Sequence, residues 1–589
     1  MTASVLPISR PQPQEQPVLS IRNLTLATGA RNLVEDLSLE VTPASIHAVV
    51  GESGSGKTLT ARAAVKLLPP GISITSGSIC LAGQNIVPLS EKQMEAIRGK
   101  DAGFVFQEPM LSLNPALRVG EQMAEGLRRH LRLGEDEIRA CCIEMLERVS
   151  LRDPEGALRR YPHEFSGGMR QRIMLASVMA LRPSLLIADE PTTALDAIIQ
   201  RDVLDIMTEL SRDMAVSVLL ITHDLGLVGQ YADEVTIMRR GHCVEAGPSS
   251  EVIRSPRSDY ARALLAACPK RMPRPPVAAA APLLRVEDLS VRYQIPAKWP
   301  WQRPVPFEAV SGVSLDIRPG ETVAIVGESG SGKSTMGRAV LGLRAIHSGR
   351  VVFDGAPVNP ADATAMRALR RDMQVVFQDP ASSLDPRMRV ADLVSEGLRL
   401  DGRISAATRR ERAITALSEV ALGEEFADRH PHELSGGQRQ RVAIARAIVL
   451  HPRLIVADEA VSALDVTVQA QVLALLDGLQ KKHGFAYLFI THDLGVVEQI
   501  ADRVVVMKSG RVVETAPRDR LFDTPFHDYT CRLLSASAEL TENGSGHFEV
   551  QRRQVSPRPV PHNAAPRHGG LVEVAPDHLV LPDNTWSQQ

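Results

Sequence analysis

The chain has 589 residues, 44% hydrophobic and 23% charged, an ordinary globular composition with room for about four domains. Sixty-seven Lys and Arg against 69 Asp and Glu leave a net charge of -2, so no global basic field points to nucleic acid and no acidic one to a solvating tail. The six cysteines are scattered with no Cys-x-x-Cys pair, which suggests neither a disulfide framework nor a zinc module and fits a reducing compartment. In chain order, residues 1–16 lack the apolar core of a signal peptide and are expected to be a disordered leader. The first large unit spans residues 17–268. Ile46 to Val50 predicts a buried strand, followed by a Gly-rich loop and a helix beginning near Lys57. Between Gln107 and Ser166 the pattern turns helical, as in EIRACCIEMLERVSL. Leu185 to Ala188 and Val216 to Ile221 predict two more strands, ending in Asp189-Glu190 and Thr222-His223-Asp224. Short continuous apolar runs with polar ends suit buried parallel strands, whose carboxyl ends carry function in open α/β sheets. A Pro/Ala-rich linker, residues 269–282, is expected to be extended and semi-rigid. The second unit spans 283–535. The tail, 536–589, is rich in Pro, His, Asn and Gly and is expected to be mostly disordered. No run approaches the roughly 18 apolar residues of a membrane-spanning helix.

The two large units are copies of one another. GESGSGKT at Gly51 to Thr58 returns as GESGSGKS at Gly327 to Ser334, with Lys57 and Lys333 276 residues apart. Gln107 and Gln378 are 271 apart, whereas Ser166 and Ser435, Asp189 and Asp458, and His223 and His492 are each 269 apart. The offset settles early, so the copies differ by small insertions near the front only. The period is far too long for a solenoid and marks a duplicated α/β domain.

The motifs point to phosphate chemistry. In GxxxxGK[ST], Gly51, Ser53, Gly54 and Gly56, and likewise Gly327, Ser329, Gly330 and Gly332, let backbone N–H groups wrap the phosphates of a nucleotide. Lys57 and Lys333 reach the β/γ oxygens, and the Thr58 and Ser334 hydroxyls suit Mg²⁺. Asp189 and Asp458, at strand ends, are placed to hold Mg²⁺ through water. Glu190 and Glu459 are the candidates for polarising the attacking water. SGGMRQR at Ser166 and SGGQRQR at Ser435 each open a helix; taken alone, either is an anion site or a simple cap.

The order of these motifs resembles the nucleotide-binding domain of ATP-binding cassette (ABC) proteins: P-loop, glutamine, SGGQ, strand-end Asp-Glu, ALD, then a lone His after a strand. The resemblance covers about 500 residues. It implies two tandem P-loop NTPase domains of ABC type, each with a RecA-like core and a helical subdomain. It also implies that the domains pack head to tail, with each ATP held between one P-loop and the other domain's signature. One site would then use Lys57, Thr58, Gln107, Asp189, Glu190 and His223 with Ser435, Gly436, Gly437 and Gln438. The other would use Lys333, Ser334, Gln378, Asp458, Glu459 and His492 with Ser166, Gly167 and Gly168. Mg²⁺ would be held by Thr58, Gln107 and Asp189, and by Ser334, Gln378 and Asp458. Glu190, His223, Glu459 and His492 would be catalytic, and Asp196 and Asp465 match the loop that communicates between sites.

FQEPMLSLNP at Phe106 and FQDPASSLDP at Phe377 look like the glutamine-loop segment of peptide/nickel importers. YPHEFSGG, HPHELSGG and the end-segments DYARALLAACP and HDYTCRLLSA are similar to the same sub-family. Its members take dipeptides, oligopeptides, nickel chelates, glutathione or opines, and the fused form resembles glutathione and microcin-type importer ATPases. The resemblance implies two separate permease subunits, a periplasmic binding protein acting indirectly, no nucleic acid, and a peripheral place on the cytoplasmic face of the bacterial inner membrane. The alternative is a tandem ABC ATPase acting on the ribosome or nucleic acid. Those factors carry a long charged helical linker or zinc modules, where this chain has a short Pro/Ala-rich stretch.

Three departures from the pattern stand out. Met169 replaces the signature glutamine and Phe165 the preceding leucine. The tail lacks the cysteine cluster of many peptide importers, so no iron–sulfur centre is expected, although Leu571 to Leu581 is similar to the end of that extension and predicts partial order. The adenine-stacking aromatic corresponds to Tyr293 in the second copy but to Thr28 in the first.

Overall fold

The computed structural model describes residues 16–107, 112–192, 195–275, 277–278, 280–295, 303–462, 464–542, 547–561 and 565–582. The expected leader lies almost wholly outside them. Contacts divide the chain into two compact units: Met1–Leu195, Ile199–Ala266 and Ala538–Gln551 in the first, Asp196–Ile198, Ala267–Ser537 and Arg552–Gln589 in the second.

The first unit is built on a six-stranded sheet ordered His242–Pro248, Glu234–Arg239, Ile46–Gly51, Ser217–Ile221, Leu185–Asp189 and Ala102–Val105. All neighbours pair in parallel except the first two, which form an antiparallel hairpin. The three central strands Ile46–Gly51, Ser217–Ile221 and Leu185–Asp189 are buried at every position. That is why their apolar runs are continuous rather than alternating. A second, antiparallel sheet pairs Leu19–Thr28 with Arg31–Val41 and with Ser73–Leu81. The helices Val119–His130, Glu135–Arg148 and Gly167–Met179 pack on one another between the glutamine and strand-end motifs.

The second unit repeats this plan with Met373–Val376, Leu454–Asp458, Ala486–Ile490, Thr322–Val326, Arg503–Lys508 and Arg511–Pro517. Its sheet then continues through the tail strands His578–Val580, Val572–Ala575 and Ala565–Pro566. The pairing Glu514↔Val580 and Thr515↔Leu579 covers an edge that would otherwise be open.

The expectation of a mostly disordered tail therefore needs correction. Leu571, Val580 and Leu581 bury against the core, and His578 Nε2 sits 2.7 Å from Glu514 Oε1 with both side chains buried. A buried carboxylate needs a partner, and the tail supplies it. A further two-stranded sheet, Ala538–Glu542 with Phe548–Arg552, belongs largely to the first unit. The linker carries no regular structure among its described residues. It is tied to the second unit by Arg271, bonded to Glu498 and Asp523, and by Arg274, bonded to Asp502.

Candidate nucleotide sites

Each unit brings its own motif residues to the carboxyl ends of its central strands. The loops after Ile46–Gly51 and Thr322–Val326 turn into helices Lys57–Ala63 and Lys333–Val340 through Gly56 and Gly332, at φ 101° and 99°. A Cβ on Gly56 would fall 2.7 Å from Val34 Cγ2, so both conformation and space demand glycine there. Ser53, Gly54, Ser329 and Gly330 form the exposed crest of the loop, with nothing near Gly54 or Gly330 that a side chain would meet.

The two lysines are buried at the base. Lys57 Nζ donates to Gly51 O (2.7 Å) and Glu52 O (2.9 Å), and Lys333 Nζ to Gly327 O (2.7 Å) and Glu328 O (2.8 Å). Burial pulls Lys333 below its ordinary value, against the opposing charge of Glu459. Ser55 Oγ and Ser331 Oγ are buried without a hydrogen-bond partner in the same loops. Buried hydroxyls with no partner beside a buried ammonium fit a polar, anionic guest.

Thr58 Oγ1 donates to Asp189 Oδ1 (3.1 Å) and Ser334 Oγ to Asp458 Oδ1 (2.7 Å). Burial pushes both aspartates above the usual carboxylate range. A hydroxyl converging on a desolvated carboxylate is a hard-oxygen donor set that fits Mg²⁺. The next residues take the left-handed conformation, Glu190 at φ 45° and Glu459 at φ 50°. Such backbone is costly for a non-glycine residue and is held by tertiary contacts, here Glu190 N to Ile221 O and Glu459 N to Ile490 O. It turns each glutamate back over the site. Gln107 Nε2 donates to Glu190 Oε2 (2.8 Å) and Gln378 Nε2 to Glu459 Oε2 (2.6 Å). His223 Nδ1 lies 3.6 Å from Glu190 Oε1, and His492 Nδ1 3.4 Å from Glu459 Oε1. Burial alone would lower both histidines, but the glutamate's hydrogen bond and charge raise them. Burial likewise opposes ionisation of Glu459, and the histidine's bond and charge overcome it and hold the carboxyl low.

Among the described residues the signature turns make no hydrogen bond to the P-loop of their own unit. Ser166 caps helix Gly167–Met179 through Met169 N, and Ser435 caps Gly436–Ile448 through Gln438 N. Gln438 also accepts from Ser435 N at 2.9 Å, closing a capping box. Met169 cannot return that bond and stands exposed, while Phe165 and Leu434 are both buried. The second glycine is the sterically pinned one: a Cβ on Gly437 would meet Val468, and one on Gly168 would meet Ile199. Gly436 has open room, and a Cβ on Gly167 would make only ordinary contact with Leu195 Cδ2 at 3.7 Å. Asp465 caps helix Val466–His483 through Val468 N.

Tyr293 and Thr28 hold equivalent register. Leu19↔Leu81 matches Leu284↔Phe353, which places Thr28 where Tyr293 stands. Tyr293 Oη is 3.2 Å from Thr335 Oγ1, and Arg344 lies over its ring at 5.2 Å. In the first unit the hairpin ends there, Thr28 facing Arg31; in the second it continues to Ile295↔Val305. The missing aromatic belongs to a shortened hairpin.

Two supporting residues escape sequence reasoning. Tyr260 Oη accepts from Glu52 N (3.3 Å) and Tyr529 Oη from Glu328 N (2.9 Å), propping each P-loop from behind. The end-segments containing them repeat in sequence, but the spacing does not say that they reach back to the loop.

The model of the ABC transporter family matches residues 34–193 and 310–462, more than half of the chain. The chain belongs to the ABC transporter family. The oligopeptide/dipeptide transporter C-terminal region matches residues 513–562. This ABC chain is 46% identical over 528 residues to the peptidoglycan transport ATP-binding protein YejF of Agrobacterium fabrum, covering 89% of the chain and 96% of that protein. It is 42% identical over 555 residues to the glutathione import ATP-binding protein GsiA of Escherichia coli, covering 88% and 89%. Among solved structures, an archaeal ribosome recycling factor in complex with a ribosomal stalk protein matches with TM-score 0.60 at 19% identity, over 90% of this chain and 96% of that one. At that identity the likeness concerns the fold alone. The chain is thus an ABC-type ATPase whose relatives include ATP-binding proteins of peptidoglycan transport and glutathione import. No described helix is long and apolar enough to cross a membrane.

Proposed function

We propose that this ABC ATPase energises the import of a peptide-class solute, a di- or oligopeptide, glutathione or a muropeptide-like compound, through two permease subunits fed by a periplasmic binding protein. The C-terminal region shared with oligopeptide and dipeptide transporters carries that reading. The surfaces beside Gln107 and Gln378 serve as permease docking sites, which makes the chain peripheral at the cytoplasmic face of the inner membrane.

In each unit the P-loop lysine exchanges its carbonyl partners for β/γ-phosphate oxygens. Thr58 with Asp189, and Ser334 with Asp458, would hold Mg²⁺, with Gln107 and Gln378 beside them, and the ion would there supply neutralisation of charge on the phosphates. Glu190 and Glu459 accept the proton of the attacking water, each beside its histidine at 3.6 or 3.4 Å, and in the second unit that histidine holds the Glu459 carboxyl low. Ser166 to Gly168 and Ser435 to Gly437 present hydroxyl and N–H groups to a γ-phosphate. Tyr293 stacks on the base.

The test is uptake of labelled dipeptide, tripeptide, glutathione and muropeptide in cells carrying wild-type chain or the Glu190→Gln/Glu459→Gln form. Uptake of at least one should vanish in the variant and return with wild type. Unchanged uptake of all four overturns the peptide-importer reading.

A further inference from the structure

The helices that follow the two site histidines, Leu225–Tyr231 and Leu494–Ile500, are equivalent, and both are touched by the C-terminal tail. Gly229 and Glu498 are 269 residues apart, the constant offset of the duplication, and so are Ile253 and Phe522. In the second unit Glu498 is largely buried and receives two guanidinium groups. Arg271 Nε of the linker is 2.8 Å away, and Arg553 Nη2 of the tail is 2.7 Å from Oε1 and 2.9 Å from Oε2. Both guanidinium groups lie over the Phe522 ring, at 5.5 and 5.0 Å. Arg518 adds bonds from Nη1 to Glu498 O (3.0 Å) and to Met272 O of the linker (2.9 Å). In the first unit the matching place is apolar. A Cβ on Gly229 would lie 2.5 Å from Val550 Cγ2 and 3.0 Å from Ile253 Cδ1. His547 Nδ1 lies 3.0 Å from Arg254 O and 2.9 Å from Ser255 Oγ there.

The helix Leu494–Ile500 has seven residues, too few to be stable by itself, so contacts decide where it sits. Leu494, Val496, Val497 and Ile500 bury its inner face. Its start is fixed by Asp493, whose Oδ1 accepts from Gly495 N and Val496 N, and Asp493 directly follows His492. The Glu498 clamp fixes the face that core packing leaves free. We propose that Arg553 is a positioning residue for His492: by holding Glu498, the tail sets the placement of the turn that aims the histidine at Glu459. This rests on the reading of His492 as part of the catalytic site. Arg271 and Arg518 tie the linker into the same clamp, so linker and tail act on one helix.

The test is steady-state Mg²⁺-ATPase of the full chain, with thermal unfolding measured in parallel. The variants are Arg553→Ala, Arg553→Lys, Glu498→Gln, the Arg553→Ala/Glu498→Gln double and His492→Ala as reference. Arg553→Ala should lower kcat about twofold or more, loss of one of two sites being the smallest effect, with KM for ATP unchanged within about twofold. Arg553→Lys should restore most of the kcat, and the double variant should be no worse than the worse single one, because the two side chains form one contact. Unaltered kcat in Arg553→Ala alongside a reduced kcat in His492→Ala overturns the proposal and leaves the clamp a stabilising contact only. Unaltered kcat in His492→Ala overturns the catalytic reading of the histidine, and this proposal with it.

Discussion

At the scale of single residues the two sites share one charge arrangement and differ in one aromatic. In the second unit His492 holds the Glu459 carboxyl low and Glu459 in turn raises His492, and this pair gives a pH-dependent stability with a definite window. The Glu459 carboxyl is held below its ordinary 4.5, so its contribution is full above 4.5 and fades as pH falls through the folded value. His492 is held above its ordinary 6.5, so its contribution is full below 6.5 and fades as pH rises through the folded value. The destabilisation by His492→Ala in nucleotide-free protein, measured by thermal unfolding, should therefore be largest between pH 4.5 and 6.5 and shrink on both sides. A destabilisation that is flat from pH 4 to 9 removes the ion pair from the account. The aromatic difference carries a second expectation. Stacking a base on an aromatic ring is worth roughly 1–3 kcal/mol, and about 1.4 kcal/mol is tenfold in affinity. Tyr293→Ala should weaken ATP binding on the order of tenfold when the other P-loop is silenced by Lys57→Ala. Thr28→Tyr should tighten binding in the Lys333→Ala background. The second effect should be the smaller, because the residues that match Thr335 and Arg344 at the 276-residue P-loop offset are Leu59 and Leu68, which give the new ring neither a hydroxyl partner nor a guanidinium.

At the scale of elements, what was legible in the sequence was whatever is coded by a continuous run. The strands Ile46–Gly51, Leu185–Asp189 and Ser217–Ile221 are buried on both faces, so their composition declares them without reference to any neighbour. The P-loop, strand-end Asp-Glu and histidine residues could be placed because each sits at the carboxyl end of such a strand. The tail was legible only through the similarity of Leu571 to Leu581 to the end of a peptide-importer extension, which predicts the order seen at Val572–Ala575 and His578–Val580, and not from a continuous run. Its strands are short and separated by Pro and Gly, and they are stable only because Arg511–Pro517 offers an open edge and Glu514 a buried carboxylate. Neither fact is visible in residues 565–582 themselves. Replacing His578 by Ala leaves Glu514 with only the backbone N–H groups of Phe526 and His527, at 2.8 and 3.1 Å. Loss of one partner from a buried charged group should lower stability by about 1–3 kcal/mol in urea unfolding, and His578→Gln, which keeps a donor, should lose less. Equal loss in both variants assigns the cost to packing against Phe526 instead.

At the scale of the whole molecule, one domain plan occurs twice, and each copy gathers a complete set of lysine, hydroxyl, aspartate, glutamate, glutamine and histidine in its own unit. Duplication was legible from the constant 269-residue offset, and the family resemblance read from motif order agrees with the match over residues 34–193 and 310–462. The division of tail and linker was not, because it depends on which surfaces the folded units offer. Everything proposed for the two sites depends on Glu190 and Glu459 as the groups that activate water. The most direct measurement is Mg²⁺-ATPase turnover with ATP binding measured in parallel, for wild type, Glu190→Gln, Glu459→Gln and the double variant. Each single change should cut turnover, and the double should retain ATP binding while losing about 10²-fold or more of its activity, the scale of removing a positioned base. Near-normal turnover in the double variant would contradict the assignment of both glutamates.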